Sequence, residues 1–343
     1  MAGNATEFQL PRGVNSVSRD FVQNLVVVLS LLALVGVSTI FGSQLHFALE
    51  SGVSVSPIMW SLEPVSAGAP DRSVAYMVDD YGSELQMDIY EPGEAAERSP
   101  SGVPIMVYVH GGGWVSGTPA ETAATLRWFS EQGYLVLSPE YTLATADRAT
   151  WDIAMPQVTC ALAWVGQQAG ELGGDPSRIA VLGGSAGANL ALTATYAAAD
   201  TQQALPCKGD VPKISAVVGL VPAVDPESVF NNTDPVMKGY DQQLVRAYLG
   251  GEPADHPNRV KAVQVGTYLS PLAPPTLIVG HKNDHIVPIA GIRDFVDRAR
   301  DAGIDVAYKE VIWADHTTPL LNYNPVSQAL RLQVLDFIRA RGL

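Results

Sequence analysis

Positive charge and cysteine are both scarce in this chain. Its 343 residues hold 21 Lys and Arg against 35 Asp and Glu, a formal net charge of −14, with no lysine or arginine block. Neutralising a nucleic-acid backbone needs a basic footprint, so no nucleic-acid partner is expected. The acidic balance serves solubility and would repel anionic substrates. The two cysteines, Cys160 and Cys207, form no Cys-x-x-Cys pair and lie near no histidine at ligand spacing, so no zinc or other metal site is expected. They are either two unrelated buried thiols or one disulfide, and the disulfide requires an oxidising compartment.

Charge is missing altogether from Phe21 to Leu49. Within that stretch the apolar run from Leu25 to Phe41 is long enough to cross a bilayer as a helix. A cleaved signal peptide would carry a shorter apolar region with a small-x-small site after it, and no clear Ala-x-Ala follows here. The expectation is a short tail over residues 1–20 and an uncleaved single-pass anchor over residues 21–42. Arg12 and Arg19 precede the run and no Lys or Arg follows it until Arg72, which puts the bulk of the chain on the extracytoplasmic side. Residues 43–72, rich in Ser, Gly, Pro and Val, read as a linker.

Residues 73–343 read as one large α/β domain, for which a hydrophobic content of 47% supplies core enough. Val74–Val78 and Glu84–Tyr90 read as a strand pair around a turn at Tyr81-Gly82-Ser83. Strands over Ile105–Val109, Tyr134–Leu137, Ile179–Leu182, Ile214–Val221, Thr276–Val279 and Val306–Ile312 then follow. Helices over Ala120–Gln132, Ile153–Leu172, Ala186–Ala199, Ala290–Ala302 and Val326–Arg341 alternate with them. This alternation predicts a mostly parallel sheet with helices on both faces and an antiparallel edge hairpin at its start. About 50 residues between Val221 and Pro274 contain no strand pattern, only a short helix over Gln242–Leu249. That is longer than an ordinary connection and predicts a small cap insertion, about 225–273, over the site.

Two glycine-rich segments carry the chemistry. Gly183-Gly184-Ser185-Ala186-Gly187 lies between a strand and a helix, where small residues permit the sharp turn that lifts a serine hydroxyl above a sheet edge. His110-Gly111-Gly112-Gly113-Trp114 follows another strand. Three glycines are costly in regular structure but allow close approach of bare backbone to a ligand. Ser185 is therefore the expected nucleophile, and the N–H groups of Gly112, Gly113 and Ala186 the expected oxyanion hole. His110 is expected to brace its loop, and Trp114 either to line the substrate pocket or to pack beneath it; it is taken as a substrate contact. A serine needs a base and the base an orienting acid. In the chain order serine, acid, histidine, His316 after the last strand is the expected base, with His285 the runner-up. Asp284 stands 32 residues before His316, after the preceding strand, and is the expected acid. Asp225 is the alternate, and Asp315 is too close in sequence to reach the far side of the ring.

With these pieces together, the chain resembles an α/β-hydrolase of the esterase/lipase group. That group includes hormone-sensitive-lipase-like carboxylesterases and feruloyl/acetylxylan-esterase-like proteins. The likeness covers roughly residues 74–341 and also takes in Asp175-Pro176-Ser177-Arg178-Ile179. It implies the α/β-hydrolase fold and hydrolysis of small-molecule esters through an acyl-enzyme, with no cofactor. Hormone-sensitive-lipase-like enzymes usually carry Asp before the serine, where this chain has Gly184, which leans toward the feruloyl branch. The family's Tyr-Arg-Leu is here Tyr141-Thr142-Leu143. Kynurenine formamidases share a similar pattern, so an amidase or peptidase stays open, as does a non-catalytic binding module on the same fold.

Overall fold

The β3 segment, Val103–Val109, shows how the molecule is layered. Val103, Ile105, Val107 and Val109 belong to one apolar cluster, whereas Met106 and Tyr108 belong to another. Side chains alternate across a strand, so a continuous apolar run is what a strand covered on both faces requires. The computed structural model describes residue 30 and residues 68–343, apart from 95, 97, 98, 201–206, 313 and 318–324. Those from 68 onward fall within one compact unit, Gln44–Leu343. The anchor expected over residues 21–42 and most of the expected linker lie outside the described residues. No described helix is long and apolar enough to cross a membrane.

Among the described residues, eight strands form one sheet. They are β1 (Arg72–Val78), β2 (Glu84–Tyr90), β3, β4 (Leu135–Pro139), β5 (Gly174–Gly184), β6 (Ala216–Leu220), β7 (Thr276–His281) and β8 (Val306–Val311). Their spatial order is β1-β2-β4-β3-β5-β6-β7-β8. The pairs β1–β2 and β2–β4 are antiparallel, and every other pair is parallel. The helices are α1 (Ala123–Glu131), α2 (Ala154–Gln168), α3 (Ala186–Asp200), α4 (Pro226–Phe230), α5 (Lys238–Leu249), α6 (Pro257–Val263), α7 (Ile289–Asp301) and α8 (Pro325–Arg339). Helices α2, α3 and α7 pack on the face of Val107, and α1 and α8 on the face of Tyr108. Each fully buried Val, Ile or Leu in these layers contributes about 1.5–3 kcal/mol.

Outside the insertion, two boundaries differ from the sequence pattern by four residues or more. Helix α2 stops at Gln168 rather than Leu172, and the chain then turns through to Gly173, which has φ +79°. Strand β5 starts at Gly174, since that residue pairs with Val103 and a side chain there would meet Ile105 Cδ1 at 2.7 Å. The insertion holds three helices where the pattern shows one: α4 begins at an Asp225 cap, α5 starts four residues before Gln242, and α6 starts at Pro257. Cys160 on α2 and Cys207 are joined in a disulfide.

Candidate active site

The parallel strands all end at one edge, and the loops leaving β3, β5, β7 and β8 bring the chemistry-bearing side chains there, as open α/β sheets do. Ser185 sits between β5 and α3 with φ +55°, a left-handed conformation that a non-glycine residue adopts only when its surroundings enforce it. The flanking glycines are sterically required. A Cβ on Gly187 would lie 2.2 Å from the carbonyl oxygens of Val109 and His110, and one on Gly183 would lie 2.5 Å from the Gly187 oxygen. A Cβ on Gly184 would meet Tyr108 Oη at 3.0 Å, a close contact with the tip of a side chain.

His316 stands over this turn, 9% exposed. Its Nε2 lies 2.8 Å from Ser185 Oγ and its Nδ1 lies 2.7 Å from Asp284 Oδ2. A carboxylate only accepts, so Nδ1 carries the hydrogen and Nε2 is left to accept from the serine hydroxyl. The Asp284 side chain is fully buried, and its Oδ1 accepts from the N–H groups of Ile286 at 2.9 Å and Val287 at 2.8 Å. The loop after β7 therefore fixes the carboxylate from one side and the imidazole fixes it from the other.

The glycine loop after β3 is equally constrained. Gly112 has φ +116°, and a Cβ on it would lie 2.0 Å from Ser116 O; Gly113 has φ +60° and abuts Leu244 of α5. His110 is buried and stacks on Tyr141 with ring centroids 4.3 Å apart. Burial holds its pKa down to about 4, so its neutral Nδ1–H donates to the Gly111 carbonyl at 2.8 Å. Thr142 takes Gln157 as partner: its N–H donates to Oε1 at 2.7 Å and its hydroxyl accepts from Nε2 at 2.9 Å.

Trp114 corrects the expectation of a substrate contact. It is 1% exposed, has φ +64°, and stacks on Tyr248 of α5 at 4.5 Å. Trp114 is not among the residues that line the cavity around Ser185. His285 is exposed and pairs with Asp234 at 2.8 Å, and Asp225 caps α4 and accepts from Gln264; neither approaches Ser185 as base or acid. His281 is buried, with Nδ1 on the Asp315 carbonyl. Among the described residues no group of three His, Cys, Asp or Glu side chains could hold a metal ion.

Ser185, His316 and Gly111–Gly113 share a cavity of about 200 Å³. Its remaining wall includes Tyr240 and Leu244 from α5 and Ile286 from the acid loop, contacts that sequence reasoning missed because the register of α5 against the sheet is a tertiary property. A wider groove of about 810 Å³ lies around Ser177, Ile214 and Pro274. It is at the opposite strand ends and holds none of these groups.

The BD-FAE family matches residues 87–298 of the chain. Esterase LipC of Mycobacterium tuberculosis is 30% identical over 245 residues, covering 70% of this chain and 60% of that protein. Human hormone-sensitive lipase is 30% identical over 193 residues, 56% of this chain but 17% of the lipase. The chain spans about three-fifths of the length of LipC and of Esterase LipQ from the same organism. Among solved structures, Thermogutta terrifontis esterase 2 phosphonylated by sarin superposes with a TM-score of 0.63 at 24% identity, covering 80% of this chain and 95% of that one. At that identity the likeness establishes a shared fold.

Proposed function

The chain belongs to the BD-FAE family of α/β-hydrolases, and on that premise we propose that it is a serine carboxylesterase. The observation that carries this reading is the unbroken chain from Asp284 through His316 to Ser185, with links of 2.7 and 2.8 Å. Ser185 Oγ attacks the ester carbonyl as its proton passes to His316 Nε2. Asp284, across the ring, stabilises the imidazolium that forms. The carbonyl oxygen becomes an oxyanion. The C–O bond to the alcohol then breaks, and the imidazolium protonates the leaving oxygen. Water, deprotonated by His316, attacks the acyl-enzyme, and Ser185 leaves with its proton restored.

Peptide geometry supports Gly112 and Gly113 as oxyanion donors. A trans peptide holds its C=O and N–H on opposite sides. The Gly111 carbonyl is bonded to His110 Nδ1, and the Gly112 carbonyl to Ser116 N at 3.0 Å. Both carbonyls are thus turned into the loop, and the N–H groups that follow them, those of Gly112 and Gly113, face the other way. Ala186 adds a third donor at the N-terminus of α3, where the helix dipole favours negative charge. A cavity smaller than most ligand sites favours short acyl chains.

We also infer that residues 21–42 anchor the protein in a membrane with the catalytic domain on the extracytoplasmic side. The uncharged run, the flanking Arg12 and Arg19, and a disulfide that needs an oxidising surrounding all favour this arrangement.

The enzymatic reading is tested with p-nitrophenyl acetate and butyrate. Ser185→Ala is expected to lose at least about 10⁴-fold in kcat, and a fluorophosphonate probe is expected to label the wild type and not the variant. Undiminished turnover by Ser185→Ala would overturn the mechanism. A matched anilide, run beside the ester, separates esterase from amidase.

A further inference from the structure

The triad does not use every titratable group around it. Asp241 lies in the first turn of α5 and is wholly buried. Its Oδ2 accepts a hydrogen bond from Asn232 Nδ2 at 2.6 Å, while its Oδ1 is buried with no hydrogen-bond partner among the described residues. Asn232 is buried too, and its amide is fully committed. The second hydrogen of Nδ2 goes to the His285 carbonyl at 2.7 Å, and Oδ1 accepts from the Asp234 N–H at 3.1 Å. Flipping the amide would set its oxygen against two acceptors, so the network fixes its orientation. His285 follows Asp284 directly, and the next two N–H groups hold Asp284 Oδ1. One amide therefore ties the helix that walls the cavity to the loop that carries the acid.

The charged groups that face Asp241 are His316, Asp284 and Asp234. Burial pushes its carboxyl up to about 6; Asn232 and then His316 oppose that rise, and Asp284 and Asp234 add to it. Asp241 thus changes charge within the range in which a serine hydrolase gains its activity, and it does so within the field of the catalytic base.

Building on the esterase reading, we propose that Asp241 is a positioning residue for the catalytic imidazole. Through Asn232 it fastens α5 to the acid loop, and its negative charge supplements that of Asp284 when His316 takes the serine proton. The acid limb of kcat/KM then contains the ionisation of Asp241.

Asp241→Asn keeps an oxygen for Asn232 and removes the charge. With p-nitrophenyl butyrate, its acid limb is expected to move to lower pH by about half a unit. Its plateau kcat is expected to fall by roughly three-fold, the same half unit expressed as imidazolium stability. A merely structural residue would leave the limb in place. Asp241→Leu keeps most of the volume and removes the tie as well; its kcat is expected to fall by a further factor of about ten with KM little changed. A wild-type limb in Asp241→Asn overturns the electrostatic role, and equal kcat in the two variants overturns the tie. If Asp241→Leu does not fold, the limb of Asp241→Asn decides alone. Ser185→Ala, run in parallel, separates the failures. An active Ser185→Ala sinks the esterase reading, whereas an inactive one beside an unmoved limb sinks only this proposal.

Discussion

At the scale of single residues, the site is governed by atoms that are missing. Gly113 has φ +60°, where an L-residue costs on the order of 1–2 kcal/mol, and a Cβ there would lie 2.7 Å from Leu244 Cδ1. The strain is tolerable; the contact is with the end of a flexible side chain that can move. Whatever part of the collision Leu244 does not absorb tilts the peptide whose N–H is proposed to meet the oxyanion, and such donors act only when aimed within a few tenths of an ångström. Gly113→Ala is therefore expected to fold and to lose about 10²-fold in kcat, measured on p-nitrophenyl butyrate. Adding Leu244→Ala removes the collision and should restore part of that loss. Full activity in Gly113→Ala would remove Gly113 from the oxyanion hole. A loss that Leu244→Ala leaves untouched would place the cause in the backbone conformation alone.

At the scale of elements, helix α8 carries an anomaly that bears on stability. Arg331 is 5% exposed between α8 and α1, and none of its three guanidinium nitrogens has a hydrogen-bond partner among the described residues. Burial pushes its pKa down, and its guanidinium stands 5.5 Å from the Trp128 ring. A cation–π contact is worth about 0.5–2 kcal/mol, whereas a desolvated, unpaired charge costs several. The penalty wins, so Arg331→Met, which keeps the apolar stem, is expected to raise the thermal midpoint by a few degrees in calorimetry. A lowered midpoint would mean that the charge is stabilised where it stands. The same scale shows what a linear reading can reach. The central strands were legible because buried parallel strands are unbroken apolar runs, and the segments of Ser185 and Asp284 were legible because each follows such a run; His316 follows the edge strand β8, which carries Lys309 and Glu310, and was legible from the chain order of serine, acid and histidine. Trp114 and Asp241 were not. An aromatic beside glycines gives no sign of which way its backbone turns, and the answer depends on Tyr248, 134 residues later. An acid in the first turn of a helix reads as a solvated partner of the helix dipole. Only the packing of α5 against the acid loop buries it.

At the scale of the whole molecule, the disulfide links covalent chemistry to where the chain resides. Cys160 on α2 and Cys207 close a loop with a sequence separation of 47 residues. Restricting a loop of that length in the unfolded chain contributes about 4 kcal/mol in the chain-entropy account. Neither cysteine lines the catalytic cavity, so the bond acts on stability and not on turnover. A cytosolic thiol pool would keep such a pair reduced, whereas the proposed anchor delivers the domain to a compartment where the bond persists. Protein taken from native membranes and alkylated with iodoacetamide before any reductant is therefore expected to show both cysteines unmodified by mass spectrometry. Both should become labelled after dithiothreitol, and the thermal midpoint of the reduced protein should fall while ester turnover at 25 °C stays unchanged. Free thiols in the unreduced sample would place the catalytic domain on the reducing side of the membrane and reverse the orientation inferred from Arg12 and Arg19. An unchanged midpoint after reduction would show that the folded sheet and its helices, and not the cross-link, hold α2 against the segment before β6.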